Sequence, residues 1–371
     1  MRLFGTIKTF FMRDTLLGIC LVLSALSMLA VPPDALYLGY FDTRVLCLLF
    51  CLMAVVLGFE QCGVFTALSQ RLLTGCGHFR ALCLALVLLP FFCAMLVTND
   101  VALITFVPFT ILVFGQINRR DGLIYIIVLQ TVAANLGSMA TPVGNPQNLF
   151  LYFFYGLHAG AFFKTVMPFM LISVAALSAA TLCVKNDTIT MSFSKRQTLC
   201  HPGRLAVYAA LFFVCLLSVL HLFPYIILTA LVVVCLLILS PDLFKKVDYP
   251  LLLTFVCFFV FAGNMGRLPQ VRDLLSALLA QNTLFSAVAA SQVISNVPAA
   301  VLLARFTADW RGLLLGVNIG GLGTPIASLA SLISLKYYLR SAHAQPLRYL
   351  WVFTLVNVAG IILLLGLVKL L

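Results

Sequence analysis

Charged side chains are scarce in this chain: Asp, Glu, Lys and Arg make up 9% of its 371 residues, whereas hydrophobic residues make up 63%. That balance excludes a soluble globular domain, in which about a quarter of the residues are charged. Acidic residues are the scarcest, 11 against 23 basic, for a net charge of +12. In a membrane protein such an excess is typical of cytoplasmic loops that fix the orientation. The basic residues form isolated pairs rather than one face, so we expect no nucleic-acid partner.

Metal-ligand and catalytic patterns are also missing. The twelve cysteines include no C-x-x-C pair, and none of the five histidines pairs with another histidine or a carboxylate at ligand spacing. We therefore expect no metal site and no cofactor, and we interpret the cysteines as reduced hydrophobic residues of the spans. No nucleophile is paired with a base, which disfavours an enzyme and leaves a channel or a membrane enzyme as remote alternatives.

Apolar runs recur along the whole length, which predicts an all-α polytopic membrane protein embedded in a lipid bilayer. We expect about nine full spans and two re-entrant hairpins. Arg2, Lys8 and Arg13 precede the first run, and no small-residue cleavage site follows it, so the first helix is predicted to be retained. With the N-terminus placed in the cytoplasm, 16 of the 23 basic residues fall on the cytoplasmic side, as in an inner-membrane protein.

Helix-breaking residues and amides meet in the middle of an apolar region, where residues 134–149 read A-N-L-G-S-M-A-T-P-V-G-N-P-Q-N-L. A hydrocarbon core tolerates irregular backbone only where protein or a water-filled cavity surrounds it. We therefore predict that the helix over 122–155 is broken here and lines a site. An ordinary polar loop between two spans is the alternative.

Just before it, two apolar arms over 81–116 are joined by Thr98-Asn99-Asp100. Basic residues flank both outer ends of the pair, which predicts a re-entrant hairpin with its tip at Asn99. A second hairpin is predicted over 283–308, with Ser295-Asn296 at its tip. A second broken helix is predicted over 312–340.

The two halves of the chain resemble each other. N-L-G-S-M-A-T-P-V-G, which starts at Asn135, aligns with N-I-G-G-L-G-T-P-I-A, which starts at Asn318, with four of the ten positions identical. We predict inverted repeats over 1–184 and 224–371, separated by a cytoplasmic loop and a connecting span over 185–223 that inverts the second. Inverted repeats with broken helices at the midplane mark secondary transporters.

These places offer a defined chemistry. Broken helices expose N–H groups that suit anions, and freed carbonyls suit cations. Pro142 and Pro325 suit the first turn of each restarted helix. Asp100 is a carboxylate within the membrane that could bind a cation, carry a proton or cap a helix. Glu60 falls at the cytoplasmic end of its span, with an interfacial or a functional role.

The predicted substrate and ion sites lie at the same hairpin tips and helix breaks. The substrate-binding candidates are Asn99, Asp100, Thr141, Pro142, Asn145, Asn296, Thr324 and Pro325. The candidates for the coupling ion, Na⁺ or H⁺, are Thr98, Asn99, Asp100, Gly137, Ser295, Asn296, Gly320 and Gly323.

At these motifs the sequence resembles the ion transporter superfamily, which includes divalent anion:sodium symporters, citrate–metal transporters and arsenite permeases. The strings T-N-D-V-A-L, T-P-V-G-N-P-Q-N-L and S-Q-V-I-S-N-V-P are most similar to small bacterial inner-membrane permeases of the citrate transporter-like and arsenite permease-like groups. The resemblance implies an elevator-type transport domain and a scaffold domain that forms a homodimer. It also implies Na⁺ and carboxylate binding at Ser-Asn-Thr tips. Both Asn residues match here, whereas Asp100 and Val297 replace the final Thr.

The leading hypothesis is a secondary transporter of small anions of the citrate type, coupled to H⁺ or Na⁺. Efflux of arsenite or antimonite is the alternative that Asp100 and the lack of basic residues near the tips favour. A cation/proton antiporter centred on Asp100 is the third.

Overall fold

The computed structural model describes residues 15–74, 76–117, 119, 121–189, 202–341 and 344–370. These residues form α-helices and short 3₁₀ helices, apart from one isolated bridge between His78 and Thr188. The N-terminal residues 1–14 and most of the predicted cytoplasmic loop, residues 190–201, lie outside the described part. The predicted all-α polytopic class is confirmed.

The first half of the chain contains eight described helices, which in chain order are α1 (Thr15–Ala30), α2 (Thr43–Gln61), α3 (Val64–Leu73), α4 (Phe79–Ala94), α5 (Asn99–Gln116), α6 (Leu123–Ser138), α7 (Pro146–Phe154) and α8 (Ala159–Leu182). A 3₁₀ helix, Ala35–Tyr40, joins α1 to α2. We call α4–α5 hairpin 1 and the stretch 139–145 between α6 and α7 break 1.

The second half contains nine more: α9 (Pro202–Val219), α10 (Tyr225–Leu239), α11 (Tyr249–Arg267), α12 (Pro269–Gln281), α13 (Thr283–Ile294), α14 (Asn296–Leu303), α15 (Trp310–Gly320), α16 (Leu329–Leu339) and α17 (Pro346–Leu370). The 3₁₀ helices are Pro241–Lys245 and Ala304–Phe306. We call α13–α14 hairpin 2 and the stretch 321–328 between α15 and α16 break 2.

The bases of the two hairpins lie at opposite ends of α6–α7. At the base of hairpin 1 the rings of Phe79 and Phe114 are 5.5 Å apart, and the chain continues from there into α6. At the base of hairpin 2 the hydroxyls of Thr283 and Thr307 are 3.4 Å apart. Tyr155, just after α7, donates a hydrogen bond of 2.9 Å to the carbonyl of Thr307. The hairpins therefore enter the molecule from opposite ends.

Packing follows the same scheme in both halves. The first arm of each hairpin packs on the first arm of the broken helix that follows it, α4 on α6 and α13 on α15. Two glycines allow this close approach: a Cβ on Gly137 would lie 2.1 Å from the carbonyl oxygen of Phe91, and one on Gly320 would lie 2.7 Å from the Cβ of Ser291.

The prediction that Pro142 and Pro325 occupy the first turn of the restarted helices is wrong. Both prolines lie in the turns of the breaks, and the helices restart later, at Pro146 and Leu329. Asn145 explains the first restart, because its Oδ1 accepts a hydrogen bond of 2.9 Å from the N–H of Asn148 and so caps α7, with Pro146 in the first turn. An N-cap side chain determines where a helix begins more strongly than a proline several residues before it.

Six described helices are long and apolar enough to cross a membrane: Thr43–Gln61, Asn99–Gln116, Ala159–Leu182, Pro202–Val219, Tyr249–Arg267 and Pro346–Leu370. The broken helices and the other apolar helices are shorter. Glu60 is exposed in the last turn of α2.

Candidate functional site

The tips of both hairpins line one small central cavity. Asn99 and Asn296 are only 5% and 4% exposed there. The space between them is about 20 Å³, about the room that one water molecule or one small ion occupies. The lining residues are Asn99, Asp100, Pro146, Gln147, Leu251, Thr254, Ser295, Asn296, Val297, Ser328 and Leu329.

Four helices begin at this cavity. The first residues of α5, α7, α14 and α16 are Asn99, Pro146, Asn296 and Leu329, and all four line it. Each helix N-terminus carries about half a positive elementary charge. The cavity is therefore polarised to favour negative charge even though no Lys or Arg of the described residues lines it.

The two tips bind to the two breaks in the same way. The N–H of Asn99 donates to the carbonyl of Gly144 at 3.2 Å, and the N–H of Asn296 donates to the carbonyl of Ala327 at 2.9 Å. Gly144 and Ala327 are equivalent positions of the aligned segments. Each Asn Oδ1 also accepts a hydrogen bond from the next N–H in its own helix. The amide oxygens are thus used in the tip turns.

The hydroxyls of Thr141 and Thr324, one in each break, form hydrogen bonds to the hairpins close to their tips. The hydroxyl of Thr141 donates to the carbonyl of Met95, and that of Thr324 donates to the carbonyl of Gln292 at 3.1 Å. Neither Thr lines the central cavity, nor does Pro142 or Pro325. Thr324 is exposed and Pro142 is buried. These two threonines hold the hairpins against the breaks in the described conformation.

A reciprocal pair of hydrogen bonds crosses between the halves. The Nδ2 of Asn145 donates to the Oδ1 of Asn318 at 3.0 Å, and the Oγ of Ser328 donates to the Oδ1 of Asn135 at 3.1 Å. Asn145 aligns with Ser328, and Asn135 with Asn318, so each half gives the other the same contact. Reciprocal contacts of this kind are what a two-fold relation produces.

The amide cluster also reaches hairpin 1, because the Nδ2 of Asn99 donates to the Oδ1 of Asn135 at 2.9 Å. Asn318 in turn donates to the Oδ1 of Asn148 at 2.7 Å. Asn145 therefore lies behind the central cavity, in the cluster that joins the two breaks.

The remaining candidates for the coupling ion occupy four kinds of place. Ser295 lines the central cavity, with a φ of +74°. Thr98 precedes α5 and does not line it. Gly137 and Gly320 lie at helix contacts. Gly323 lies in break 2 with a φ of +107°, and a Cβ there would be 2.1 Å from the Oε1 of Gln292.

Several residues of the site are not predicted by the sequence patterns. Gln147 and Thr254 line the cavity, and Gln292 bonds to break 2 through both its Nε2 and its Oε1. The amide of Gln147 is a usable signal, since it lies within the broken stretch 134–149. Thr254 and Gln292 lie in apolar helices, and no equivalent residue in the other half of the chain identifies them as functional.

The electrostatics of the cavity centre on Asp100. It is the only ionisable residue among the described ones that line the space, and it belongs to the first turn of α5. A carboxylate so placed gains from the positive N-terminus of its own helix and is itself a ligand for a small cation. The site thus joins donors for an anion to one acceptor group for a cation or a proton.

These features define a multi-pass α-helical membrane transporter, with discontinuous helices and hairpin tips around a buried polar site. The chain belongs to the citrate transporter family, whose family model matches residues 8–309.

Relatives of the chain include an uncharacterized transporter of Methanocaldococcus jannaschii, 33% identical over 77% of this chain and 78% of that protein. The inner membrane protein YbiR of Escherichia coli is 29% identical over 83% of this chain and 81% of its own length. The silicon efflux transporter LSI3 of Oryza sativa is 29% identical over a shorter stretch, 38% of this chain and 29% of that protein.

Proposed function

We propose that this protein is a secondary active transporter of small anions of the citrate or carboxylate type, coupled to Na⁺ or H⁺. The observation that carries the proposal is the meeting of four helix N-termini at a buried cavity whose lining contains amides, three hydroxyls and one carboxylate. Oriented N–H groups at helix N-termini are suited to carboxylate oxygens.

Asp100 supplies the coupling in this proposal. An anion next to an ionised Asp100 is repelled by roughly 4 kcal/mol at a separation near 4 Å and an intermediate dielectric. A Na⁺ ion or a proton that binds at Asp100 removes this repulsion, so anion and cation bind together. Thr98, Ser295 and the freed carbonyls near Gly137, Gly320 and Gly323 are the further candidates for cation ligands.

The described conformation is closed in this scheme. A space of about 20 Å³ admits an ion or a water molecule but not a tricarboxylate, whose binding pockets are usually about 300 Å³ or larger. The substrate therefore enters when a tip moves away from its break, which requires the bonds of Thr141 or Thr324 to open. Opposite hairpins then serve opposite sides of the membrane.

The proposal also includes the arrangement of the two halves of the chain as inverted repeats. The matching tip contacts and the reciprocal Asn145–Asn318 and Ser328–Asn135 bonds support inverted repeats. We extend this to elevator-type movement of the hairpins and broken helices in a homodimer, with the N-terminus in the cytoplasm of an inner-membrane protein.

Uptake of radiolabelled citrate into proteoliposomes tests the function. We expect accumulation under an inward Na⁺ or H⁺ gradient and none without a gradient. Asp100→Asn is expected to uncouple uptake from the gradient, and Asp273→Asn, an exposed residue of α12, serves as the matched control. Absence of citrate uptake under both gradients contradicts the carboxylate assignment.

Efflux of a neutral hydroxylated solute, such as arsenite or antimonite, is the second candidate. It is favoured by the lack of a basic residue among the described residues at the cavity and by the similarity to a silicon efflux transporter. Expression in a metalloid-sensitive host tests it, and cells that gain no protection exclude it.

A cation/proton antiporter centred on Asp100 is the third candidate. Retention of full pH-dependent cation exchange by Asp100→Asn would exclude it.

A further inference from the structure

A second polar cavity, much larger than the central one, lies at the end of the molecule where hairpin 2 begins and ends. Its volume is about 450 Å³, within the range of small-molecule sites. It is lined by Gly39, Tyr40, Phe41, Asp42, Thr43, Arg44, Phe150, Phe153, Phe154, Tyr225, Phe259 and Arg305. Two arginines therefore share one cavity with a wall of aromatic rings.

Aromatic rings hold both guanidinium groups in place. The Cζ of Arg44 lies 5.3 Å from the ring centroid of Phe153 and 5.7 Å from that of Tyr225. The Cζ of Arg305 lies 5.5 Å from the ring centroid of Tyr40. Such stacking fixes the plane of a guanidinium and leaves its edge, with the N–H donors, open to a ligand.

Neither guanidinium forms an ion pair within the described residues. Asp42 is the only acid of the described lining, and its Oδ1 accepts a hydrogen bond of 3.1 Å from the N–H of Val45 at the start of α2. By contrast, Arg267 at the same end of the molecule is paired with Asp34 at 2.8 Å. Among the residues that the structure describes, Arg44 and Arg305 therefore have no carboxylate partner.

Arg305 also has a donor without a partner. One of its terminal nitrogens donates to the carbonyl of Tyr40 at 3.2 Å, but its buried Nε has no hydrogen-bond acceptor among the described residues. A buried N–H without an acceptor destabilises the fold, and more so when the group is charged. An oxyanion that binds to the terminal nitrogens of Arg305 in the cavity would balance the charge of this guanidinium.

Two helices that begin at the central cavity, α7 and α14, extend to the walls of this second cavity. Arg305 follows α14, whose first residue, Asn296, lines the central cavity. Phe150, Phe153 and Phe154 belong to α7, whose first residue, Pro146, also lines it. A ligand held by Arg305 and the α7 rings therefore contacts the outer ends of two helices whose inner ends form the central site.

We propose that the Arg44–Arg305 cavity is a separate binding site for an oxyanion, either the carboxylate of a small soluble anion or the phosphate of a lipid headgroup. Paired guanidinium forks bind both groups through parallel N–H···O bonds. In the soluble case the inference rests on the proposed function, and the cavity captures the anion at the mouth of the pathway before it reaches Asn99 and Asn296.

Binding to the purified protein in a non-ionic detergent tests the site without transport. Citrate is titrated by calorimetry, and phosphatidylglycerol is titrated in mixed micelles with phosphatidylcholine, which has no net charge, as the zwitterionic reference. We expect Arg44→Gln and Arg305→Gln each to weaken binding of one probe at least tenfold. Arg311→Gln is the matched control, since Arg311 is an exposed arginine near the same hairpin base that stacks on Trp310 and does not line the cavity.

The outcomes of these titrations distinguish a soluble anion from a lipid headgroup as the ligand. Weakened citrate binding assigns the site to a soluble anion, and weakened phosphatidylglycerol binding assigns it to a lipid. Arg305→Lys keeps the charge but loses the fork, so it should fold like the wild type and still bind more weakly. Unchanged affinity for both probes in all three cavity variants overturns the proposal. Citrate binding that needs Arg305 but survives Asn99→Ala, in a protein that transports no citrate, refutes the proposed function and leaves this site standing.

Discussion

At the scale of single residues, a cluster of buried amides joins the two halves of the molecule. Asn99, Asn135, Asn145, Asn148 and Asn318 are all 5% exposed or less, and they bond to one another or to backbone groups. An amide supplies donors and acceptors without the desolvation cost of a charge. Such a cluster can connect the two halves while the adjoining cavity stays free for ions.

The Asn145–Asn318 bond should contribute measurably to stability. A double-mutant cycle of Asn145→Ala and Asn318→Ala is expected to give a coupling of about 0.6–1.7 kcal/mol, the range for hydrogen bonds between membrane helices. Unfolding of the purified protein in detergent measures it. Asn145→Ala combined with Asn282→Ala, an exposed N-cap of α13, should show additive effects. A coupling near zero in the first cycle would show that the bond does not join the halves.

Gly137 is expected to be intolerant of even one methyl group. A Cβ would meet the backbone oxygen of Phe91 at 2.1 Å, and backbone cannot rotate away as a side chain can. Gly137→Ala should therefore separate α4 from α6 and destabilise the fold by at least the roughly 1–3 kcal/mol that is typical of overpacking. Gly115→Ala, in a helix with open space around the new Cβ, should be neutral or slightly stabilising. Thermal unfolding compares them, and equal melting temperatures would contradict the close approach.

At the scale of elements, the two breaks are braced from different places. In break 1 the Nδ2 of Asn148, from α7 itself, donates to the carbonyls of Ser138, Met139 and Thr141. In break 2 the Nε2 of Gln292, from hairpin 2, donates to the carbonyls of Gly320 and Leu322. The carbonyls of break 1 are therefore braced by a side chain of its own broken helix, whereas those of break 2 are braced by a side chain of its hairpin.

Hydrogen exchange can distinguish the two braces. Gln292→Ala should raise the exchange of backbone amides in break 2, above all that of Thr324, whose N–H loses the Oε1 acceptor. Break 1 should not change. Asn148→Ala should do the reverse, with faster exchange in 139–145 only. Exchange that rises in both breaks for either variant would mean that they open as one unit.

An ion pair ties the α1–α2 connection to the end of α11. The hydrogen bond from Arg267 to Asp34 holds the pKa of that carboxyl below its usual value of about 3.9. Since the folded pKa is the lower one, the stabilisation is present above about pH 4 and is lost as the pH falls through the folded value.

Asp34→Asn should therefore have a lower melting temperature than the wild type at about pH 6. The difference should shrink as the pH falls below about 4, and Arg267→Gln should abolish this pH-dependent difference. Scanning fluorimetry across pH measures this, and a difference that stays constant as the pH falls below about 4 would mean that Asp34 acts without its charge.

Sequence periodicity and hydropathy predict the helices well because apolar length determines them. The first arm of hairpin 2 begins at Thr283, where the predicted hairpin over 283–308 begins. The restarts are less well predicted, since the Asn145 cap decides where α7 begins. The contact of Ser328 with Asn135 joins residues 193 apart, and a single sequence does not specify such pairs. The tip residues Asn99 and Asn296 are identifiable because their motif occurs twice.

At the scale of the whole molecule, the proposed transport cycle requires each hairpin to move away from its break. Thr141→Val and Thr324→Val each remove one hydroxyl bond to a hairpin carbonyl, with little change of volume. One such bond is worth about 1 kcal/mol, or roughly a fivefold change in the population of an open state. Because the hairpins enter from opposite ends, the two variants should favour states open to opposite sides of the membrane.

Citrate transport in oriented proteoliposomes measures that bias, with KM determined separately for the two directions. We expect Thr141→Val to lower the KM for entry from the side of hairpin 1 and Thr324→Val to lower it from the side of hairpin 2. Thr165→Val serves as the control, because its hydroxyl bonds only within α8. If both variants change KM in the same direction, the hairpins do not act as opposite gates, and the two-fold relation between the halves would concern packing rather than transport.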